Sequence, residues 1–258
     1  MKILISDFDG TLCITHSDII DVYANVSALD AFKKEKDEFG RNNIVIIATA
    51  REPNSIMKYI NMYNIPCDYI ISYIGALIWD CFNQKYIYSN YFPVETVEKI
   101  FSLLEPYSLE FEMEVFSNVP NPTKNQHIGY ILHNIVDLNS NVFERMNDDI
   151  GCSLEDIIDK DNNNNATYFT RFLSDELFFI NNAQNTKLKA IDFLLEHLQL
   201  KGKIYKSAEV YAIGDGLDDL DMLRKFNGYR ITTSEEPLAK RYSKKIDSVK
   251  EYIDIIMK

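Results

Sequence analysis

Two aspartates, Asp7 and Asp9, follow directly on the apolar run Ile3-Leu4-Ile5 and precede a Gly10-Thr11 turn. Carboxylates this close repel, and they hold their charge more readily beside a cation. Mg²⁺ suits them, because it takes carboxylate and carbonyl oxygens and often shares them with a substrate phosphate. The same stretch also reads as a strand ending in a common Asp-Gly turn. A second acidic run, Asp215, Asp218, Asp219 and Asp221, follows Val210–Ile213. Acids in the first turn of a helix stabilise it. Four in seven positions exceed what capping requires, and Asp215 is the best second anchor for a metal.

Other residues suit a phosphate. Thr49 ends the run Ile44–Ala48; its hydroxyl can donate to a phosphate oxygen or cap the next turn. Lys187 stands at a predicted helix start, where the helix dipole disfavours a cation. It can neutralise a phosphoryl group as a point charge, or be an ordinary exposed lysine. Arg51 reads equally as a surface ion-pair residue and as part of a substrate rim.

The elements that must position these residues alternate at both ends of the chain. Ile3–Ile5, Ile44–Ala48 and Tyr69–Ile71 are continuous apolar runs, as in strands buried on both faces. A helix from near Ser27 through Phe39, stopped by Gly40, lies between the first two. Another begins at Pro53, a residue suited to a first turn. This rhythm predicts a parallel sheet with helices on both faces, whose carboxyl edge is where ligands bind. After residue 186 the rhythm returns, with the amphipathic helix of Leu188, Ile191, Leu194 and Leu198, strands at Val210–Ile213 and Gly228–Thr232, and a closing helix at Val249–Met257.

The middle differs. A hairpin, Ala76–Trp79 and Tyr86–Tyr88 around Asn83-Gln84, leads to a helix from Pro93. Strands at Leu109–Phe116, His127–Val136, Thr167–Leu173 and Glu176–Ile180 follow, with a helix at Val142–Ile158. Sequential strands predict a separate α+β unit. The expected architecture is therefore α/β: a Rossmann-like parallel-sheet core, residues 1–80 and 182–258, with an inserted α+β domain at 81–181. Asp159–Asn165 is no calcium loop, since Asn164 and Thr170 stand where Gly and Glu are needed. His127 and His133 read as structural.

Composition narrows the function. Hydrophobic and charged contents of 46% and 26% are those of an ordinary globular chain. A net charge of −12 argues against nucleic-acid and anionic-membrane partners. No apolar run spans a bilayer, and the N-terminus predicts no signal peptide and a cytoplasmic location. Cys13, Cys67, Cys81 and Cys152 form no Cys-x-x-Cys pair, so neither zinc nor a disulfide framework is expected.

The stretch Asp7-Phe-Asp9-Gly-Thr-Leu resembles the first motif of the haloacid dehalogenase superfamily. Ala48-Thr49-Ala50-Arg51 is similar to the second, closest to the Thr-Gly-Arg of the Cof-like phosphatases. Lys187-Leu-Lys-Ala resembles their Lys-Gly-x-Ala, and Gly214-Asp215 with Asp219 fits the Gly-Asp-x-x-x-Asp of the fourth motif. All four occur in order, and the resemblance covers essentially the whole chain.

It implies a Mg²⁺-dependent phosphatase acting on a small phosphomonoester, a sugar phosphate first, through an aspartyl-phosphate. Asp7 would be the nucleophile and Asp9 the acid and base. Asp7, the Asp9 carbonyl and Asp215 would hold the metal, with Asp218 and Asp219 just behind. Thr49 and Lys187 would bind phosphate, Arg51 would touch substrate, and the insertion would be an α/β type-two cap. The chain would be a monomer or weak homodimer. A phosphotransferase or mutase, or a non-catalytic sugar-phosphate sensor, are the alternatives. Three positions depart from the Cof-like pattern: Ala50 for Gly, Ile74 for Asn, and Asp218 for Asn.

Overall fold

The computed structural model describes residues 1–13, 22–108, 111–134, 169–174, 177–182, 185–234 and 236–258. Their chain divides into two compact units, Met1–Tyr88 with Thr186–Lys258, and Ser89–Asn185.

The first unit is built on strands β1 (Lys2–Ser6), β2 (Ile44–Ala48), β3 (Tyr69–Ser72), β4 (Leu77–Asp80), β5 (Lys85–Ser89), β10 (Glu209–Gly214), β11 (Tyr229–Ile231) and β12 (Lys245–Ile246). They form one sheet in the order β12-β11-β10-β1-β2-β3-β4-β5. The pairs from β12 to β3 are parallel, and β4 runs antiparallel to β3. Helices α1 (Val22–Lys34), α2 (Pro53–Tyr63), α4 (Lys187–Leu200), α5 (Leu220–Lys225), α6 (Glu236–Arg241) and α7 (Val249–Ile256) accompany it.

Side chains alternate across a strand, so each apolar run feeds two cores. Leu4, Val45 and Ile47 pack with Leu29 and Phe32 of α1, Ile56 and Ile60 of α2, and Tyr252 and Ile253 of α7. Ile3, Ile5, Ile46 and Ala48 pack on the other face with Ala190, Ile191 and Leu194 of α4 and Met222 and Leu223 of α5. Both faces are covered, which is why these strands carry no polar alternation.

The register sets the site. Ser6 lies opposite both Ile213 and Ile47. The residues just past β1, β2 and β10 therefore emerge at one level of the carboxyl edge. The Asp7 amide donates to Ile213 O at 2.9 Å and the Thr49 amide to Ile71 O at 2.9 Å, extending the ladder one residue into the loops.

The second unit holds α3 (Val94–Leu104) and an antiparallel sheet of β6 (Phe111–Phe116), β7 (Gly129–Asn134), β8 (Phe169–Ser174) and β9 (Leu177–Asn181), in the order β6-β7-β9-β8. Its core gathers Phe92, Val97, Ile100, Leu104, Tyr130 and Ile180. His127 Nδ1 pairs with the buried Tyr130 hydroxyl at 2.8 Å, giving that phenol a polar partner.

Several boundaries differ from the sequence reading. Helix α1 starts at Val22 and stops at Lys34 rather than Phe39. The Asp37 carboxylate accepts from the amides of Phe39 and Arg41, at 2.9 Å each, and turns the chain instead. The hairpin of β4 and β5 joins the large sheet, so the second unit begins at Ser89 and not near residue 81. The short elements β12 and α6 carry too few residues to show a period. The expected helix Val142–Ile158, the loop Asp159–Asn165 and Cys152 lie outside the described residues.

The turn after β3 is unusual. Tyr73, Ile74 and Gly75 all have positive φ, at 48°, 56° and 105°. For a β-branched residue such as Ile74 this is a strained conformation. The turn wraps the loop after β2: the Tyr73 amide donates to Arg51 O at 3.1 Å and the Ile74 amide to Thr49 O at 3.2 Å. A Cβ on Gly75 would sit 2.3 Å from Thr186 O, at the start of α4. Gly75→Ala is therefore expected to destabilise by about 2–4 kcal/mol, from backbone strain plus overpacking. Urea unfolding of the variant measures this, and an unchanged midpoint would show that the turn yields freely.

Candidate active site

The centre of the carboxyl edge is a buried lysine among carboxylates. Lys187 occupies the first position of α4, behind the N-cap Thr186, whose side chain accepts from the Lys189 amide at 3.1 Å. Its Nζ donates to Asp7 Oδ1 at 2.6 Å and to Asp219 Oδ1 at 2.7 Å, and lies 3.0 Å from Asp218 Oδ2. The Lys187 side chain is 2% exposed, Asp219 1% and Asp7 7%, while Asp218 is 25% exposed.

Asp219 is fixed from both ends. While Oδ1 faces Lys187, Oδ2 accepts from the amides of Asp215 and Gly216 at 3.0 and 2.9 Å. The loop leaving β10 thereby folds back on its own acid, and Asp215 is held facing the loop after β1. Thr11 Oγ1 donates to Asp215 Oδ1 at 2.8 Å. Gly10, at φ +75°, leaves the space that Asp215 fills, since a Cβ there would lie 2.1 Å from Asp215 Oδ2. Carboxylate oxygens of Asp7, Asp215 and Asp219 all lie within 4.8 Å of one another, a grouping that suits a metal ion.

The charges are unbalanced. Burial pushes the carboxyls of Asp7 and Asp219 up to about 8, although Lys187 pulls both down. Asp215 is raised to about 6, again chiefly by burial, with the Thr11 bond opposing. Burial works against the charge of Lys187 too, but Asp219, Asp7 and Asp218 outweigh it and hold the ammonium well above its usual range. One cation serves several acids here, so the cluster fits a further positive charge.

Asp9 and Arg51 form a second group. Arg51 Nε and Nη2 donate to the two oxygens of Asp9 at 2.7 and 2.6 Å. Nη1 donates to Ser55 Oγ at 3.0 Å, and the guanidinium lies 4.6 Å from the Tyr59 ring centroid. Thr49 is buried, and its hydroxyl oxygen accepts from the Arg51 amide at 3.1 Å, which leaves its own proton to donate.

The structure thus brings Asp7, Asp215, Asp218, Asp219 and Lys187 into one cluster and joins Asp9 to Arg51 beside it. Sequence reading missed Thr11, Ser55 and Tyr59. Ser55 and Tyr59 are four and eight residues beyond Arg51, on the α2 face that receives its side chain, which is the one signal available for them.

A Rossmann-like sheet with a lysine-paired acidic cluster at its carboxyl edge defines an α/β enzyme class. The family model for haloacid dehalogenase-like hydrolases matches residues 4–252. The chain belongs to that family, in its Cof-like branch. A haloacid dehalogenase-like hydrolase from Bacteroides thetaiotaomicron superposes with a TM-score of 0.71 at 17% identity, covering 99% of each chain. The protein TM0651 from Thermotoga maritima gives 0.70 at 16% identity, covering 98% of this chain and 97% of its own. A subclass IIB sugar phosphatase, BT4131, gives 0.66 at 18% identity, covering 99% of each. A search of curated proteins found no match.

The burial of Lys187 has a measurable consequence. Carboxyls raised above their unfolded values stabilise the metal-free fold below about pH 4, and that contribution is lost as pH rises towards 8. Removing the lysine deepens the loss, because the ionised acids are left unpaired. Lys187→Met is expected to cost about 3–5 kcal/mol at pH 8 and clearly less at pH 5. Urea unfolding at both pH values checks it; an equal cost at each would mean that the lysine contributes packing alone.

Proposed function

We propose that the protein is a Mg²⁺-dependent phosphatase acting on a small phosphomonoester, through a phosphorylated Asp7. The observation that carries this reading is the contact of Asp7 with a buried lysine inside a cluster short of positive charge. That is a site for a nucleophile that must meet a dianion. The carboxylates of Asp7 and Asp215 and the Asp9 carbonyl would hold the metal. When bound, it supplies charge neutralisation and polarises a phosphoryl oxygen.

The chain's own residues do the rest. An Asp7 oxygen attacks phosphorus and the bond to the leaving oxygen breaks, with Asp9 giving that oxygen its proton. Water then attacks the aspartyl-phosphate, Asp9 takes the water's proton, and Asp7 and orthophosphate are released. Both Asp9 oxygens accept from Arg51, so one must turn from the guanidinium and take up a proton from solvent before it can give that proton to the leaving group. Thr49 donates its free proton to a phosphoryl oxygen, and Lys187 binds another, oriented by Asp219. These preorganised donors stabilise charge in the transition state. The family resemblance assigns the inserted unit the role of a substrate-selecting cap.

The test is a panel of phosphorylated metabolites assayed with Mg²⁺ and with a chelator. Wild type is expected to release orthophosphate from at least one sugar phosphate, and to stop on chelation. Asp7→Asn, nearly isosteric but a poor nucleophile, is expected to lose about a thousandfold or more while staying folded. A rate above about a tenth of wild type would remove Asp7 from this role.

Substrate size follows from the cap and from the net charge of −12, which repels polyanions. Small metabolites should therefore outperform phosphopeptides and phosphorylated oligonucleotides in kcat/KM. Macromolecules winning by about tenfold, roughly 1.4 kcal/mol of transition-state preference, would sink the small-substrate reading.

A further inference from the structure

Two cysteines outside the acidic cluster meet in the structure. Cys67 and Cys81 stand 14 positions apart in the chain, and their sulfurs lie 3.6 Å apart. Both are free thiols and half-buried. They flank the β3–β4 hairpin just beyond its last paired residues, Tyr69 and Asp80. Asp68 pins the chain at this point. Its amide donates to Val45 O at 2.8 Å, and its carbonyl accepts from the Cys81 amide at 3.0 Å. Its carboxylate takes the Val45 amide and Lys33 Nζ at 2.9 Å each. With the backbone so held, rotation of the side chains is the motion left to bring the sulfurs to the S–S bond length, about 2.05 Å.

We infer that Cys67 and Cys81 are a reversible redox pair, which a low-molecular-weight disulfide converts into a cross-link stapling β3 to β4. The inference goes beyond the phosphatase reading and stands without it. The Cys81 thiolate attacks one sulfur of the oxidant, R–S–S–R. A mixed disulfide forms on Cys81, and the released R–S⁻ takes up the proton that Cys81 gave up. The Cys67 sulfur then attacks the Cys81 sulfur, the mixed bond breaks, and the second R–S⁻ leaves with the Cys67 proton. Two protein thiols are oxidised and one oxidant disulfide is reduced to two thiols. The surroundings set the order. Its bond with Cys81, and burial after it, push the Cys67 thiol well up, so Cys67 attacks second and from close range. The closed loop carries β3, the positive-φ turn Tyr73–Gly75 and β4. That turn bonds the carbonyls of Thr49 and Arg51. A cross-link at the base of the hairpin removes unfolded conformations in which the strained turn is open.

The test oxidises the folded protein and maps its sulfurs. Wild type is incubated with oxidised glutathione at about pH 8, where thiolates form. It is then unfolded in urea with N-ethylmaleimide, which blocks every remaining thiol, and the intact chain and its peptides are weighed by mass spectrometry. Of the four cysteines, two are expected to carry the blocking group. The Cys67 and Cys81 peptides should be linked, with no glutathione retained, and dithiothreitol should restore all four thiols. Cys67→Ala is expected to leave glutathione stranded on Cys81. The oxidised wild type should melt at least about 3 °C above the reduced form, while the double variant Cys67→Ala/Cys81→Ala, treated alike, shows no rise. Four blocked thiols in treated wild type overturn the inference, as does glutathione retained on either cysteine without a bridge. A bridge to Cys13 or Cys152 overturns it too, and so does a Cys67–Cys81 link that forms only when the oxidant is added in urea. A bridge with an unchanged or lowered Tm removes its role as a staple.

Discussion

The interaction on which the rest depends is the burial of one ammonium among three carboxylates. Taking a charge out of water costs several kcal/mol, and only close, well-oriented partners repay it. Lys187 has such partners on segments far apart in the chain: Asp7 after β1, and Asp218 and Asp219 after β10. Each of the three elements must be in place before the others are tolerable. The first helical position of α4, the end of β1 and the turn after β10 are thus tied by charge as well as by the sheet. The lysine also departs from the preference for acids at a helix N-terminus. Three carboxylates facing that terminus supply the negative charge instead.

A parallel sheet makes this economical. Neighbouring strands run the same way and stay in register, so Asp7, Thr49 and Asp215 reach one edge without individual steering. What steering remains is local. The Asp219 carboxylate folds the loop after β10 onto its own amides, and the positive-φ turn at Tyr73–Gly75 clasps Thr49 and Arg51. Gly75 also lets that turn lie against the start of α4, so Thr49 and Lys187 share one support.

Much of this was legible in the sequence, because its signals were local. Continuous apolar runs ending in polar residues marked the strands and the edge, and the acids, Thr49 and Lys187 could be singled out by type and place. What was not legible depended on partners distant in the chain. Lys187 meets Asp7 across 180 positions, so nothing local showed that this lysine would be buried. Arg51 read equally as a salt bridge and as a substrate contact; its bidentate pairing with Asp9 across 42 positions is a tertiary fact. The end of α1 was misread because Phe39 continued an apolar pattern, while the Asp37 turn before Gly40 decided the backbone. Ile74 gave no warning of its positive φ, since β-branched residues seldom adopt it.

The two ion pairs at this edge differ in what they can do. A partly exposed pair contributes about 0–1 kcal/mol, because water competes for both partners and two side chains are ordered. Asp9 is 36% exposed and Arg51 21%, so their bond is cheap to open even though it is bidentate. Breaking the buried bonds of Lys187 would instead strand a charge at a cost of about 3–5 kcal/mol. On the proposed mechanism, the cheap pair holds Asp9, which would turn between a leaving oxygen and a water. On the same proposed mechanism, the costly cluster holds the residues that would have to stay in place, Asp7 and the cation beside it. Arg51, braced by Ser55 and Tyr59, keeps its position when Asp9 lets go. The carboxylate then has one defined place to return to, and the division of labour follows from exposure alone.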